Sequence, residues 1–180
     1  MKLIFLDIDG VMNHRDYMVR SRLHHMQEFC PVAVRNLREI VKRTGAKIVL
    51  SSTWRKFKDI YHVMTCYDLD QYVIGKTPVI EDVIRGIEIK QFMDELNKPI
   101  ESYVILDDDD DMGDLLPHLV HCKDYSGLTD ERREEAIALL NREQVLPQAF
   151  ETTEILSAAV AVEDFGFNID SEIDKMFKKE

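Results

Sequence analysis

Leu3-Ile4-Phe5-Leu6-Asp7-Ile8-Asp9-Gly10 opens the chain with an apolar run that stops at an acid, a hydrophobic residue, a second acid and a glycine. Four consecutive apolar residues bounded by polar punctuation read as a strand buried on both faces, as in parallel sheets. In open α/β sheets, chemistry collects at the carboxyl ends of such strands. Residues i and i+2 of an extended segment project to the same side. Asp7 and Asp9 can therefore share one small site, while Gly10 frees the backbone to turn away. Two carboxylates about 5 Å apart, at an effective dielectric of about 20, repel by roughly 3 kcal/mol; a shared proton or a bound hard cation relieves this. Alone, the same residues also describe a strand end followed by an Asp-Gly turn, so the rest of the chain must decide.

Two further apolar runs end in the same way. Lys47-Ile48-Val49-Leu50 leads into Ser51-Ser52-Thr53-Trp54-Arg55, and Tyr103-Val104-Ile105-Leu106 leads into the acids Asp107 to Asp111. Leu119-Val120-His121-Cys122 is a short fourth strand candidate. Between them lie helical patterns. Pro31 suits a first helical turn, and Val32, Val34, Leu37, Ile40 and Val41 form a stripe that stops at Gly45. Residues 56–67 and 87–97 are helix candidates, residues 68–80 are mixed with Gly75 and Pro78 as breakers, and Thr129 caps a helix over 131–141. Strands alternating with helices predict a Rossmann-like three-layer α/β/α sandwich around a central parallel sheet. Residues 1–143 are expected to form this domain. Residues 144–180, with helices over 152–164 and 170–179, are expected to form an extension packed on the domain or at an oligomer interface. The sequence does not choose between these and leaves the oligomeric state open.

At 180 residues and 45% hydrophobic composition the chain can bury a sizeable core. The N-terminal apolar stretch is too short for a signal peptide or a membrane span, so cytoplasmic residence is the expectation. Cys30, Cys66 and Cys122 have neither disulfide nor metal-ligand spacing and read as reduced structural thiols. A formal net charge of −11 argues against wholesale polyanion binding. Yet residues 12–58 hold eleven Lys or Arg against three Asp or Glu, a net of +8. Those cations either steer an anionic substrate towards the Asp pair or lie on solvated faces.

Three polar clusters at the ends of three strands meet on one edge of a parallel sheet. Together they resemble the haloacid dehalogenase (HAD) superfamily of phosphohydrolases over residues 1–141. Asp7-Ile8-Asp9-Gly10 matches the superfamily's Asp-x-Asp-Gly motif, Ser51 its second-strand hydroxyl, and Asp107-Asp108 its acidic pair. For the superfamily's Lys or Arg, Arg85 is preferred, with Lys90 second and Lys76 also upstream of the acidic strand. The resemblance implies Asp7 as nucleophile and Asp9 as general acid/base. It further implies Mg²⁺ held by Asp7, the backbone carbonyl of Asp9, Asp107 and Asp108, with Asp111 as an alternative ligand. Ser51, Ser52, Arg85 and Arg55 are the expected phosphate-binding residues.

The superfamily often inserts a cap domain after its first motif or between its second and third. Residues 12–30 and 56–84 are too short for one, which suggests an open site for a macromolecular phosphate ester. The residues Ser51, Ser52, Trp54, Arg55, the run Arg85-Gly86-Ile87-Glu88-Ile89 and Gly127-Leu128-Thr129 resemble phosphatase domains associated with RNA repair, and more distantly the phage polynucleotide 3′-phosphatase. A polynucleotide end is thus one expected substrate. Trp54 either stacks on a base or packs, and His14, His24 and His25 are expected on a surface flap. A metal-free dehalogenase would leave Asp9 and the distal acids unexplained. A silent nucleic-acid-binding module and a small-molecule or nucleotide phosphatase remain as alternatives.

Overall fold

The computed structural model describes residues 1–142; the expectations for residues 144–180 lie outside the described residues. Five strands form one wholly parallel sheet: β1 (Lys2–Leu6), β2 (Lys47–Leu50), β3 (Val73–Lys76), β4 (Ser102–Asp107) and β5 (Leu119–His121). Their spatial order is β3-β2-β1-β4-β5. The helices are α1 (Pro31–Thr44), α2 (Ile60–Thr65), α3 (Arg85–Glu95) and α4 (Asp130–Leu140). This is the Rossmann-like three-layer architecture expected from the alternation of elements.

The layers follow from the two-residue period of each strand. Ile4, Leu6, Ile48, Leu50, Val104 and Leu106 face one way and pack on α1, α2 and α4. Leu3, Phe5, Val49 and Ile105 face the other way, onto Ile89 of α3 and the 3-10 segment Gly113–His118. Each fully buried side chain contributes roughly 1.5–3 kcal/mol. Local signals set the helix ends. Gly45 takes a left-handed conformation (φ 71°) and its N–H closes on Val41 O at 2.9 Å. The Thr129 hydroxyl accepts from Arg132 N–H, with Asp130 and Glu131 in the first turn of α4.

Three assignments differ from the sequence reading. Strand β3 falls in the stretch read as mixed; it is a sheet-edge strand with a glycine at Gly75, which the Phe92 ring approaches closely. The helix expected over 56–67 is a 3-10 turn (Thr53–Lys56) followed by the shorter α2. Helix α3 begins at Arg85, placing that residue in its first turn. Cys30 and Cys122 are buried, Cys66 is half-buried, and all three are free; burial pushes the Cys122 thiol up to about 12.

Residues 12–30 contain no helix or strand, only turns and two isolated antiparallel bridges, His14↔Tyr17 and Arg20↔Gln27. This loop is nonetheless anchored. Phe29 stacks on Tyr67 at 4.4 Å and lies 6.0 Å from Trp54, and Tyr67 Oη accepts from Phe29 N–H and pairs with His24. On its other flank, Leu128 N–H donates to Val11 O at 2.9 Å. Gly127 makes that approach feasible, because a Cβ there would lie 2.7 Å from Val11 O. Neither interval expected to lack a cap holds a separately folded module. Among the described residues, no helix is long and apolar enough to cross a membrane.

Candidate active site

The sheet changes direction between β1 and β4, and open α/β sheets bind ligands at that switch point, beyond the carboxyl ends of their strands. Register pairs Leu6 with both Leu50 and Leu106, so the next residues, Asp7, Ser51 and Asp107, emerge side by side. Asp7 N–H donates to Leu106 O at 2.9 Å and Ser51 N–H to Leu6 O at 3.0 Å, which fixes the backbone beneath the site.

Asp7, Asp107 and Asp108 each offer a carboxylate oxygen within 4.8 Å of the others. Arg85 reaches in from the start of α3, its Nη1 lying 2.7 Å from Asp7 Oδ1 and 2.6 Å from Asp107 Oδ2. Asp107 Oδ1 accepts the Asp109 N–H at 3.0 Å, holding the two Asp107 oxygens in distinct roles. Gly10, at φ 73°, is required by both conformation and space. A Cβ there would fall 2.3 Å from Asp108 Cγ. The Asp-Gly turn thus shapes the seat of the third acid.

Burial first, and the neighbouring Asp7 second, raise the Asp107 carboxyl well above the ordinary carboxylate range, with Arg85 opposing. Burial likewise raises Asp7, against the pull of Arg85 and Ser52. Asp108 is pushed up to about 6 by burial, then by Asp7 and Asp109. Burial disfavours the charge on Arg85, but Asp7 and Asp107 outweigh it and the guanidinium is held more firmly cationic. Three acids competing for one cation form an all-oxygen donor set suited to a hard divalent ion.

Asp9 stands apart from this trio. It is exposed, its Oδ1 accepts from Asn13 Nδ2 at 3.0 Å, and its Oδ2 accepts from Trp54 Nε1 at 2.8 Å. The carboxylate expected to handle protons is therefore held by two neutral donors rather than among the three clustered acids. Beside it opens a cleft of about 320 Å³, lined by Asp9, Asn13, His14, Arg15, Met18 and Gln27 among others. A larger cavity of about 440 Å³ lies along α1, against Phe29 and Tyr67, and touches none of the acids.

The remaining expected residues divide. Ser51 is fully buried and its Oγ has no hydrogen-bond partner among the described residues, leaving a donor at the strand end beside Asp7. The Ser52 side chain bears on Asp7 and accepts the Trp54 N–H at 3.3 Å. Arg55 does not face the site. Its Nη1 donates to Ser51 O (2.6 Å) and Ser52 O (2.8 Å), and its Nη2 to Pro78 O and the Glu88 carboxylate. Where a phosphate contact was expected of it, Arg55 forms a buried strut beneath the serines, paired with Glu88 from α3. Of the three cations weighed, Arg85 is the one at the acids. Lys90 pairs with Asp114, and Lys76 donates to Arg55 O. Asp111, weighed as a ligand, instead accepts the Arg85 backbone N–H at 3.0 Å and caps α3.

Three contributors escaped the sequence reading. Asn13 carried no periodic signal, Glu88 was quoted only within the run Arg85-Gly86-Ile87-Glu88-Ile89 with no role of its own, and His121, given only as part of a strand, donates to Asp108 O at 2.7 Å. Trp54 is 4% exposed and touches Asp9 through its ring N–H, so it packs rather than offering a free face to a base.

A parallel sheet that brings an Asp-x-Asp-Gly exit, a buried serine, a helix-borne arginine and an acid-ended neighbouring strand to one switch point defines a HAD-superfamily domain. More narrowly, the chain belongs to the family described as the HAD domain in Swiss Army Knife RNA repair proteins, whose profile matches residues 3–132. No match was found among curated proteins.

Proposed function

We propose that the protein is a Mg²⁺-dependent phosphohydrolase that cleaves phosphoric monoesters through an aspartyl-phosphate, on substrates whose phosphate sits at the end of a macromolecule such as a polynucleotide. The observation that carries this reading is Asp7, a buried carboxylate ion-paired to Arg85 at a strand exit beside two further acids. The family's phosphatase-type chemistry and its association with RNA repair support it.

The chain's own residues divide the work. An Asp7 oxygen attacks phosphorus in line with the ester oxygen, forming the acyl-phosphate bond as the ester bond breaks. Ser51 Oγ, Ser52 and Arg85 bind the equatorial oxygens and stabilise the charge spread over them. Asp9 gives its proton to the departing oxygen. It then takes one from the water that attacks the phosphorus and frees Asp7, a role worth about 100- to 10,000-fold. Asp7, Asp107 and Asp108 would hold Mg²⁺ through side chains and Asp9 through its backbone carbonyl. When bound, the ion offsets the repulsion between Asp7 and the phosphate.

Hydrolysis of an aryl phosphate by the purified chain, with Mg²⁺ and with a chelator, tests the reading. Activity that needs the ion and disappears in Asp7→Asn is expected. Inactivity on aryl, nucleotide and polynucleotide phosphates alike refutes it.

A further inference from the structure

The eleven cations of residues 12–58 are sorted by the fold. Arg15, Arg35, Arg38, Arg43 and Arg55 are each paired with a carboxylate. Lys42 and Lys47 lie at the end of α1 and the start of β2, away from the strand exits. Arg20, Arg22, Lys56 and Lys58 are exposed and, among the described residues, have no carboxylate at ion-pair distance. Arg20 and Arg22 sit on the loop, while Lys56 ends the 3-10 turn and Lys58 follows it. The His25–Asp59 contact of 3.2 Å ties those two stretches together, so the free cations flank one mouth.

Exposed rings lie among them. Phe57 is 44% and Tyr61 43% exposed, and Lys76 Nζ stands 5.5 Å over the Tyr61 ring while bonded to Arg55 O at 3.0 Å. Phe57 N–H closes the 3-10 turn onto Trp54 O, and Trp54 in turn holds Asp9. The aromatic face is therefore built on the same turn that positions the reactive acid. Interleaved exposed rings and free cations are the features by which proteins hold single-stranded nucleic acid, the rings stacking on bases and the cations meeting phosphates. On a chain with a net charge of −11, a polyanion needs such a local concentration of positive charge.

We propose that this mouth is a strand track: a single-stranded RNA whose terminal phosphate sits at Asp7 lays bases on Phe57 and Tyr61 and backbone phosphates against Arg20, Arg22, Lys56 and Lys58. The placement of the terminal phosphate rests on the phosphatase reading; the affinity of the track for a strand does not.

The test is fluorescence anisotropy of a labelled single-stranded RNA bearing a terminal phosphate, with full-length protein in an Asp7→Asn background. Phe57→Ala/Tyr61→Ala is expected to weaken binding roughly ten-fold or more, and Phe57→Tyr/Tyr61→Phe to retain it. Lys56→Gln/Lys58→Gln is expected to flatten the log–log salt dependence by about 1.4, two single-strand contacts at about 0.7 each. With Asp7 restored, the Phe57→Ala/Tyr61→Ala protein should hydrolyse aryl phosphate at the wild-type rate. RNA affinity unchanged in both loss-of-track double variants overturns the track, as does a change in oligomeric mass without a change in RNA affinity. Loss of RNA binding in those variants, with a wild type inactive on every phosphate ester, upholds the track and refutes the phosphatase reading instead.

Discussion

Replacing Arg55 with alanine separates a strut from a phosphate ligand. The Arg55 and Glu88 side chains are 5% and 8% exposed, so little solvent screening discounts their attraction. Truncation leaves the Glu88 carboxylate buried with the Ile80 N–H, 3.0 Å away, as its remaining hydrogen-bond donor. It also strips a charged donor from the carbonyls of Ser51, Ser52 and Pro78. Breaking a buried pair by removing one partner costs about 3–5 kcal/mol, a large part of the roughly 5–15 kcal/mol that stabilises a typical domain. For a chain of this size that corresponds to a fall in Tm of roughly 6–20 °C. Urea denaturation followed by the fluorescence of Trp54, the chain's one tryptophan, measures it. Arg55→Met/Glu88→Leu, which removes both charges, should recover most of the loss. An Arg55→Ala protein within about 1 kcal/mol of wild type, a stability change typical of a weak contact, but with greatly weakened phosphate affinity, would refute the strut.

Three further outcomes are expected. Trp54→Phe removes a donor from Asp9 and should lower kcat roughly ten-fold for alkyl phosphates and much less for an aryl phosphate with a good leaving group; equal losses on both would contradict a role in orienting the acid. Gly10→Ala pushes on Asp108 and should raise the Mg²⁺ concentration for half-maximal activity roughly ten-fold or more, read by metal titration; an unchanged titration would count against Asp108 as a ligand. The third concerns pH. Asp108 is pushed up to about 6 in the folded protein, against about 3.9 in an unfolded chain. The folded state therefore binds that proton more tightly, and metal-free stability falls as pH rises from about 4 to about 6. In chelator, the urea midpoint should be higher at about pH 5 than at about pH 7, and saturating Mg²⁺ should narrow the gap; the reverse order would contradict the burial argument.

The site-bearing strands were legible because each is an apolar run cut off by polar residues, and the parallel register then brings their ends together without further information. Strand β3 was not, since an edge strand made of Val73, Ile74, Gly75 and Lys76 needs little burial and displays no run. The internal pairing of Arg55 was not legible because its partner Glu88 is 33 residues away, and no local pattern reveals that a helix will deliver a carboxylate beneath a serine turn. Arg85 was preferred over Lys90 and Lys76 from its place just before the helix, even though the sequence starts α3 two residues late. Asn13 and Trp54 meet at Asp9 from separate segments, a coincidence only the folded chain produces.

The guanidinium of Arg85 between Asp7 and Asp107 has a bearing on how the protein matures. Small domains in which ion binding supplies the folding free energy fold only when their ion arrives, so a chelator denatures them. Here Asp7 and its neighbour Asp107 are already bridged by a covalently attached cation, so the site can assemble before any ion is loaded. On the proposed Mg²⁺-dependent reading, a chain synthesised when divalent ions are scarce would fold to the same architecture and stand ready, its activity then following ion supply reversibly.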